Sequence, residues 1–213
     1  MIEVNCINLE NRPERKKHIL TEFSGRDEFK LQIITAIKHD IGSIGLWQSL
    51  QSVVRRMQEN DIDFFIFCED DHTFTKSYSL KLLHECIKNA TYLNADILLG
   101  GISWVETAVQ VSDHLFWINK YTGNQFMVIF KKFYPSILEI DDLQKTSADY
   151  KISEISDNKF VIFPFISIQK EFGYSDATVD NNYNGRVDFL FKTTLNKFIR
   201  LDKVKKYFFN LSK

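Results

Sequence analysis

The chain has 213 residues and carries 27 Lys and Arg against 28 Asp and Glu, a formal net charge of -1. That length suits one large domain that needs neither disulfides nor a structural metal to fold. Its 44% hydrophobic and 26% charged residues exclude disorder as the main state, and the near-zero charge argues against a dedicated nucleic-acid binder.

In chain order, the apolar run from Met1 to Leu9 reads as a buried strand, ended by Glu10-Asn11-Arg12-Pro13. Pro13 suits the first turn of a helix over 14–23, with Ile19, Leu20 and Phe23 on one face. Leu31–Ile37 is a second strand, and Ser43 is the expected N-cap of a long helix to Glu59. Asp63–Cys68 is a third strand, followed by Glu69-Asp70-Asp71-His72. A helix over Ser77–Ala90 and a strand at Asp96–Gly100 follow. Between Phe116 and Phe133 a hairpin or strand pair is expected around Tyr121-Thr122-Gly123-Asn124 and the run FMVIF. Lys159–Ile168 is a late strand interrupted by Pro164. Strand and helix alternate over the first hundred residues, which predicts an α/β fold with a mostly parallel, Rossmann-type sheet flanked by helices.

Cys6, Cys68 and Cys86 match no zinc spacing, and they read as buried free thiols. The opening residues lack the basic and apolar regions of a signal peptide, and no window reaches the ~20 apolar residues of a membrane span, so a cytoplasmic protein is expected. There is no G-x-x-x-x-G-K-[ST] and no G-x-G-x-x-G, and the five histidines show no zinc-binding spacing. His72, beside the acidic run, reads either as an extra metal or phosphate contact or as a solvent-facing side chain.

The strongest chemical signal is FFIFCEDD. An apolar strand there ends in three consecutive carboxylates, and in open α/β sheets ligands bind at the carboxyl ends of strands. Adjacent carboxylates repel, and a divalent cation relieves that repulsion while bridging to phosphates. The alternative is a solvated acidic turn that caps the next helix. Alternation along an extended chain would point Glu69 and Asp71 the same way, with Asp70 opposed.

Ile7-Asn8-Leu9, Arg12, Arg15, Gly42, Gly45, Ser49 and Glu69-Asp70-Asp71, in that order, resemble glycosyltransferase family 25. That family includes bacterial lipooligosaccharide galactosyltransferases and the catalytic domains of procollagen galactosyltransferases. Leu46 stands where the family usually has Cys, and Leu50 where it has His, which marks a divergent branch. Weaker likenesses lie in TGNQFMVIFKKFYPSIL, Ala148-Asp149-Tyr150, Phe165–Gln169 and Gly173-Tyr174-Ser175-Asp176. The resemblance implies a GT-A-type fold over residues 1–185, a nucleotide-sugar donor (a UDP-sugar first), Mn2+ or Mg2+, a glycan acceptor such as lipooligosaccharide or capsule, and inversion at the anomeric carbon. It assigns Asp71 as the direct metal ligand. Glu69 would share the metal or face the ribose, and Asp70 would support the turn or approach the sugar. Asn8 belongs to the donor-binding set through the opening motif.

Arg12 and Arg15, just after the first strand, can fork onto diphosphate oxygens or simply solvate a helix start. An inverting transfer needs a general base, for which Asp149 is the first candidate and Asp176 the second; the alternative for each is a surface turn. Two other readings stay open at this point. One is metal-dependent phosphodiester or nucleotidyl chemistry; the other is a degenerate, non-catalytic scaffold associated with glycans or membrane.

Residues 186–213 form a distinct tail, with eight basic and two acidic residues, net +6, against -7 for the remainder. Leu195, Phe198, Leu201, Val204/Lys205, Phe208 and Leu211 recur at helical spacing, so an amphipathic basic helix is expected. It either docks on the domain or attaches the protein peripherally to an anionic inner membrane.

Overall fold

The computed structural model of the protein describes residues 1–141, 146–173 and 184–211. Its elements in order are β1 (Ile2–Asn8), α1 (Pro13–Glu22), β2 (Phe29–Thr35), α2 (Gly42–Glu59), β3 (Phe64–Glu69), β4 (His72–Phe74), α3 (Leu80–Tyr92), β5 (Ile97–Leu99), β6 (Trp104–Val105), β7 (Ala108–Gln110), β8 (Leu115–Ile118), β9 (Tyr121–Thr122), β10 (Phe126–Phe130), α4 (Tyr134–Leu138), α5 (Ala148–Ile155), β11 (Lys159–Ile162), β12 (Ser167–Gln169) and α6 (Arg186–Leu211).

Eight strands form one sheet in the order β2-β1-β3-β10-β5-β11-β8-β7. β1 pairs in parallel with β2 and β3, and β5 in parallel with β11. β10 lies antiparallel between β3 and β5, and β8 antiparallel between β11 and β7. Within this sheet all strands except β10 and β8 therefore run the same way, the mostly parallel α/β sheet expected from the alternation of elements. The continuous apolar runs follow from burial on both faces. Phe65 and Phe67 join Trp47 and Leu50 of α2, Ile152 of α5 and Phe191 and Phe198 of α6 on one side. Ile66 and Cys68 join Ile19 of α1 and Leu83, Cys86 and Ile87 of α3 on the other. Cys6, Cys68 and Cys86 are free and buried.

Several local expectations are corrected. FMVIF does not form a hairpin with the segment before it. All five of its residues are buried, and a strand with no solvent face belongs between two others, here β3 and β5. Ser43 lies inside the first turn of α2 rather than capping it; Ile41 holds the cap position, with no side-chain cap. Leu20 points outward, unlike Ile19 and Phe23. The buried line of α6 is Val187, Phe191, Thr194, Phe198 and Asp202, one step away from the stripe through Leu201 and Phe208, both of which are exposed. Pro164 does interrupt the late strand: β11 ends at Ile162 and β12 begins at Ser167. Among the described residues, no helix is long and apolar enough to cross a membrane.

Gly45 and Ser49 earn their places by packing. A Cβ on Gly45 would lie 2.5 Å from the Ile37 carbonyl oxygen, so only glycine lets the loop after β2 lie against α2. The Ser49 hydroxyl then accepts from Ile37 N at 2.8 Å and donates to the Gly45 carbonyl at 2.7 Å. Ser49→Ala should leave the Ile37 amide without its partner and cost about 1–3 kcal/mol. Chemical denaturation of the two proteins measures this.

Candidate functional site

β1 and β3 end at the same edge of the sheet, with Ile7 opposite Glu69. That places Asn8 beside the acidic turn. Its amide donates to Asp70 Oδ2 at 2.7 Å, and Arg15, brought back by the first turn of α1, donates to Asp70 Oδ1 at 3.1 Å. The same guanidinium lies 3.6 Å from Asp71 Oδ2 and 4.9 Å from the Phe172 ring centroid. Asp70 is therefore not opposed to its neighbours. The strand stops at Glu69, a turn begins at Asp70, and alternation no longer applies.

Asp71 is positioned by its backbone, since its carbonyl accepts from Lys170 N at 2.8 Å. Its Oδ1 is buried with no hydrogen-bond partner among the described residues, while the Gln169 side chain and the Asp71 backbone help hold the carboxyl down. A buried carboxylate oxygen in that state is costly unless a proton or a cation meets it. Burial pushes the Asp71 carboxyl up to about 7, against the opposing pull of Arg15. Glu69 is raised well above the carboxylate range, first by burial and then by Asp71, Asp70 and Asp149.

The facing wall comes from α5 and the loop after β9. Asp149, in the first turn of α5, accepts from Gly123 N at 3.2 Å on Oδ2 and from Tyr150 N at 3.0 Å on Oδ1, which also takes the Ser147 hydroxyl. Gly123 has φ +111°, which favours glycine and turns its amide toward the carboxylate. Between the walls lies a cleft of about 670 Å³ lined by Asn8, Arg12, Arg15, Glu69, Asp70, Asp71 and Asp149. Seven residues singled out in the sequence thus share one cavity. Asp176 lies outside the described residues.

The sequence reading missed Lys38 and His39 after β2, and Lys170 and Phe172 after β12, all of which line the cleft. The strand-end rule that led to Glu69 applies equally to β2. Tyr121, fully buried and donating to Asn124 Oδ1 at 3.0 Å, has its phenol pushed up first by burial and then by Asp149 and Glu69. His72 is neither a cleft contact nor solvent-facing. It sits at 0% exposure with Nδ1 2.7 Å from Ser167 Oγ, against Phe74 and Phe126, and burial lowers its pKa well below the usual range.

Among the described residues no group of three or more His, Cys, Asp or Glu side chains holds a metal by itself. Asp71 and Glu69 nevertheless fit a divalent cation of the kind that one or two carboxylates bind together with phosphate oxygens. The partnerless Asp71 oxygen is the observation behind that fit. A pH dependence follows. With its folded pKa near 7 against 3.8 in the unfolded chain, cation-free Asp71 favours the folded state at low pH, and that contribution is lost as pH rises through about 7. Melting temperature in EDTA should fall over this window, and the fall should be smaller in Mn2+ and in Asp71→Asn. Identical profiles in all three would contradict it.

No family model matches the chain, and no curated protein is similar to it in sequence. Among solved structures, the crystal structure of A197 from STIV superposes with a TM-score of 0.52 at 11% identity, over 83% of this chain and 87% of that one. Apo UDP-glucose pyrophosphorylase gives 0.48 at 6% identity, over 90% and 82% of the two chains. Its complex with UDP-glucose gives 0.49 at 4%, over 88% and 80%. The comparison with A197 from STIV establishes that the chain shares its fold with a solved protein, and the chemistry must come from the cleft.

Proposed function

We propose that the protein is an inverting, divalent-cation-dependent glycosyltransferase that moves a sugar from a nucleotide-sugar, a UDP-sugar first, to a cell-surface glycan such as lipooligosaccharide or capsule. The observation that carries the reading is the buried Asp71 oxygen, without a hydrogen-bond partner among the described residues, at a turn that shares one cleft with Asp149. The order of residues from Ile7-Asn8-Leu9 to Glu69-Asp70-Asp71, which resembles family 25, supports it.

Mn2+ or Mg2+ held by Asp71 and Glu69 would neutralise the charge that develops on the departing diphosphate. The chain itself does the rest. Asn8 and Arg15 fix Asp70, and through it the turn that presents Asp71. Arg12 lines the same cleft and supplies positive charge for phosphate oxygens. Asp149 takes the proton of the acceptor hydroxyl as the new glycosidic bond forms. Its donors from Gly123 N, Tyr150 N and Ser147 hold the carboxylate in one orientation. Inversion requires the base and the departing diphosphate on opposite faces of the transferred sugar.

Nucleotidyl chemistry with two metals would need acids arranged around two ion positions, and three of the cleft's acids sit together at one turn, Glu69-Asp70-Asp71. Phosphorus NMR of a reaction with UDP-sugar, Mn2+ and a glycan acceptor distinguishes the readings. Glycosyl transfer releases UDP, and nucleotidyl chemistry cleaves between the phosphates. Cleavage between the phosphates would overturn the proposal.

A further inference from the structure

The buried line of α6 stops at Asp202, which accepts from Gln110 Nε2 at 3.1 Å. The nine residues 203–211 continue the helix beyond that point, and at 1.5 Å per residue they extend it by about 13 Å. Leu201 is 41% exposed, Val204 54%, and Tyr207, Phe208 and Phe209 each 62%. Five basic residues surround these side chains (Lys197, Arg200, Lys203, Lys205 and Lys206), with Asp202 the only acid between 197 and 211.

We infer that the last two turns of α6 form a docking tip for an anionic lipid bilayer. Charge selects that occupant. Five cations in fifteen residues oppose a like-charged tip and favour a surface of phosphate headgroups. Lys205 reaches the exposed Asp113 at 3.2 Å and Lys206 the buried Asp202 at 2.7 Å, links that leave the segment's net charge at +4 before Asp113 is counted. Apolar chemistry agrees. Leu201, Val204 and Phe208 fall at i, i+3 and i+7 on one face, while Arg200, Lys203 and Lys206 fall on another. Tyrosine and phenylalanine seat at the headgroup boundary, and lysine stems reach past them to the phosphates. The proposal is independent of the reaction assigned to the cleft.

The structure also fixes where to cut. Removing all of α6 would strip Phe191 and Phe198 from the core, so the tip must be altered beyond Asp202. The test is co-flotation of the full chain with vesicles of phosphatidylcholine alone and of phosphatidylcholine with one quarter phosphatidylglycerol. The comparison proteins are Tyr207→Ser/Phe208→Ser/Phe209→Ser and Lys203→Glu/Lys206→Glu, with folding checked by melting temperature. The wild-type chain should float only with the anionic vesicles and release at high salt. Loss of two lysine contributions should weaken binding about thirtyfold, and reversal of their charge by more. The aromatic variant should lose binding while melting as the wild type does. Absence of binding to anionic vesicles would overturn the inference, as would equal binding of all three proteins. A concentration-dependent dimer that the aromatic variant abolishes, without lipid binding, would assign the tip to a second copy instead.

Discussion

Asp71→Asn should fold normally and lose cation-dependent donor binding, with transfer reduced about a hundred- to thousandfold. The change keeps the side chain's size and its backbone bond from Lys170 N, so the turn should hold its shape. It removes the negative charge from a buried cleft carboxylate oxygen that has no hydrogen-bond partner among the described residues. Because that buried carboxyl is already raised to about 7, an amide should, if anything, stabilise the cation-free fold at neutral pH. Glu69→Gln should weaken binding less. Retained full transfer by Asp71→Asn would remove the residue from the proposed chemistry.

Asp149→Asn is expected to lower turnover about a hundred- to ten-thousandfold with little change in donor affinity, the pattern of a lost general base. The amide can keep accepting from Gly123 N on its oxygen, but it cannot take a proton. Steady-state kinetics at saturating donor, together with a donor titration, separates the two effects. A large drop in donor affinity at unchanged turnover would make Asp149 part of the donor site. Asp176→Asn, the second candidate, should then be compared directly.

The sequence made much of the sheet legible, because strands buried on both faces write continuous apolar runs. β1, β2, β3 and β5 each appeared within a few residues of their observed bounds. The insertion of β10 between β3 and β5 was not legible: its apolar run requires a central position but does not say between which strands. The helix caps were missed for a similar reason, since Ser43 looks like a cap in composition and only the backbone shows Ile41 in that place. At the site, the acidic run and the opening motif stood out because like charges after an apolar strand demand compensation. The partners that give it meaning come from distant parts of the chain. Lys170 and Phe172, a hundred residues beyond Asp71, approach it only because β12 pairs with β4 beside the turn. No local pattern records that pairing.

Calorimetric titration of the full chain with UDP, in Mn2+ and again in EDTA, tests the central claim most directly. A cation-dependent nucleotide-sugar site predicts heat of binding at one site per chain in Mn2+ and none in EDTA, and UDP-sugars should compete for that site. Equal binding in both buffers would contradict it, as would no binding of UDP, UDP-sugars or GDP-sugars in Mn2+.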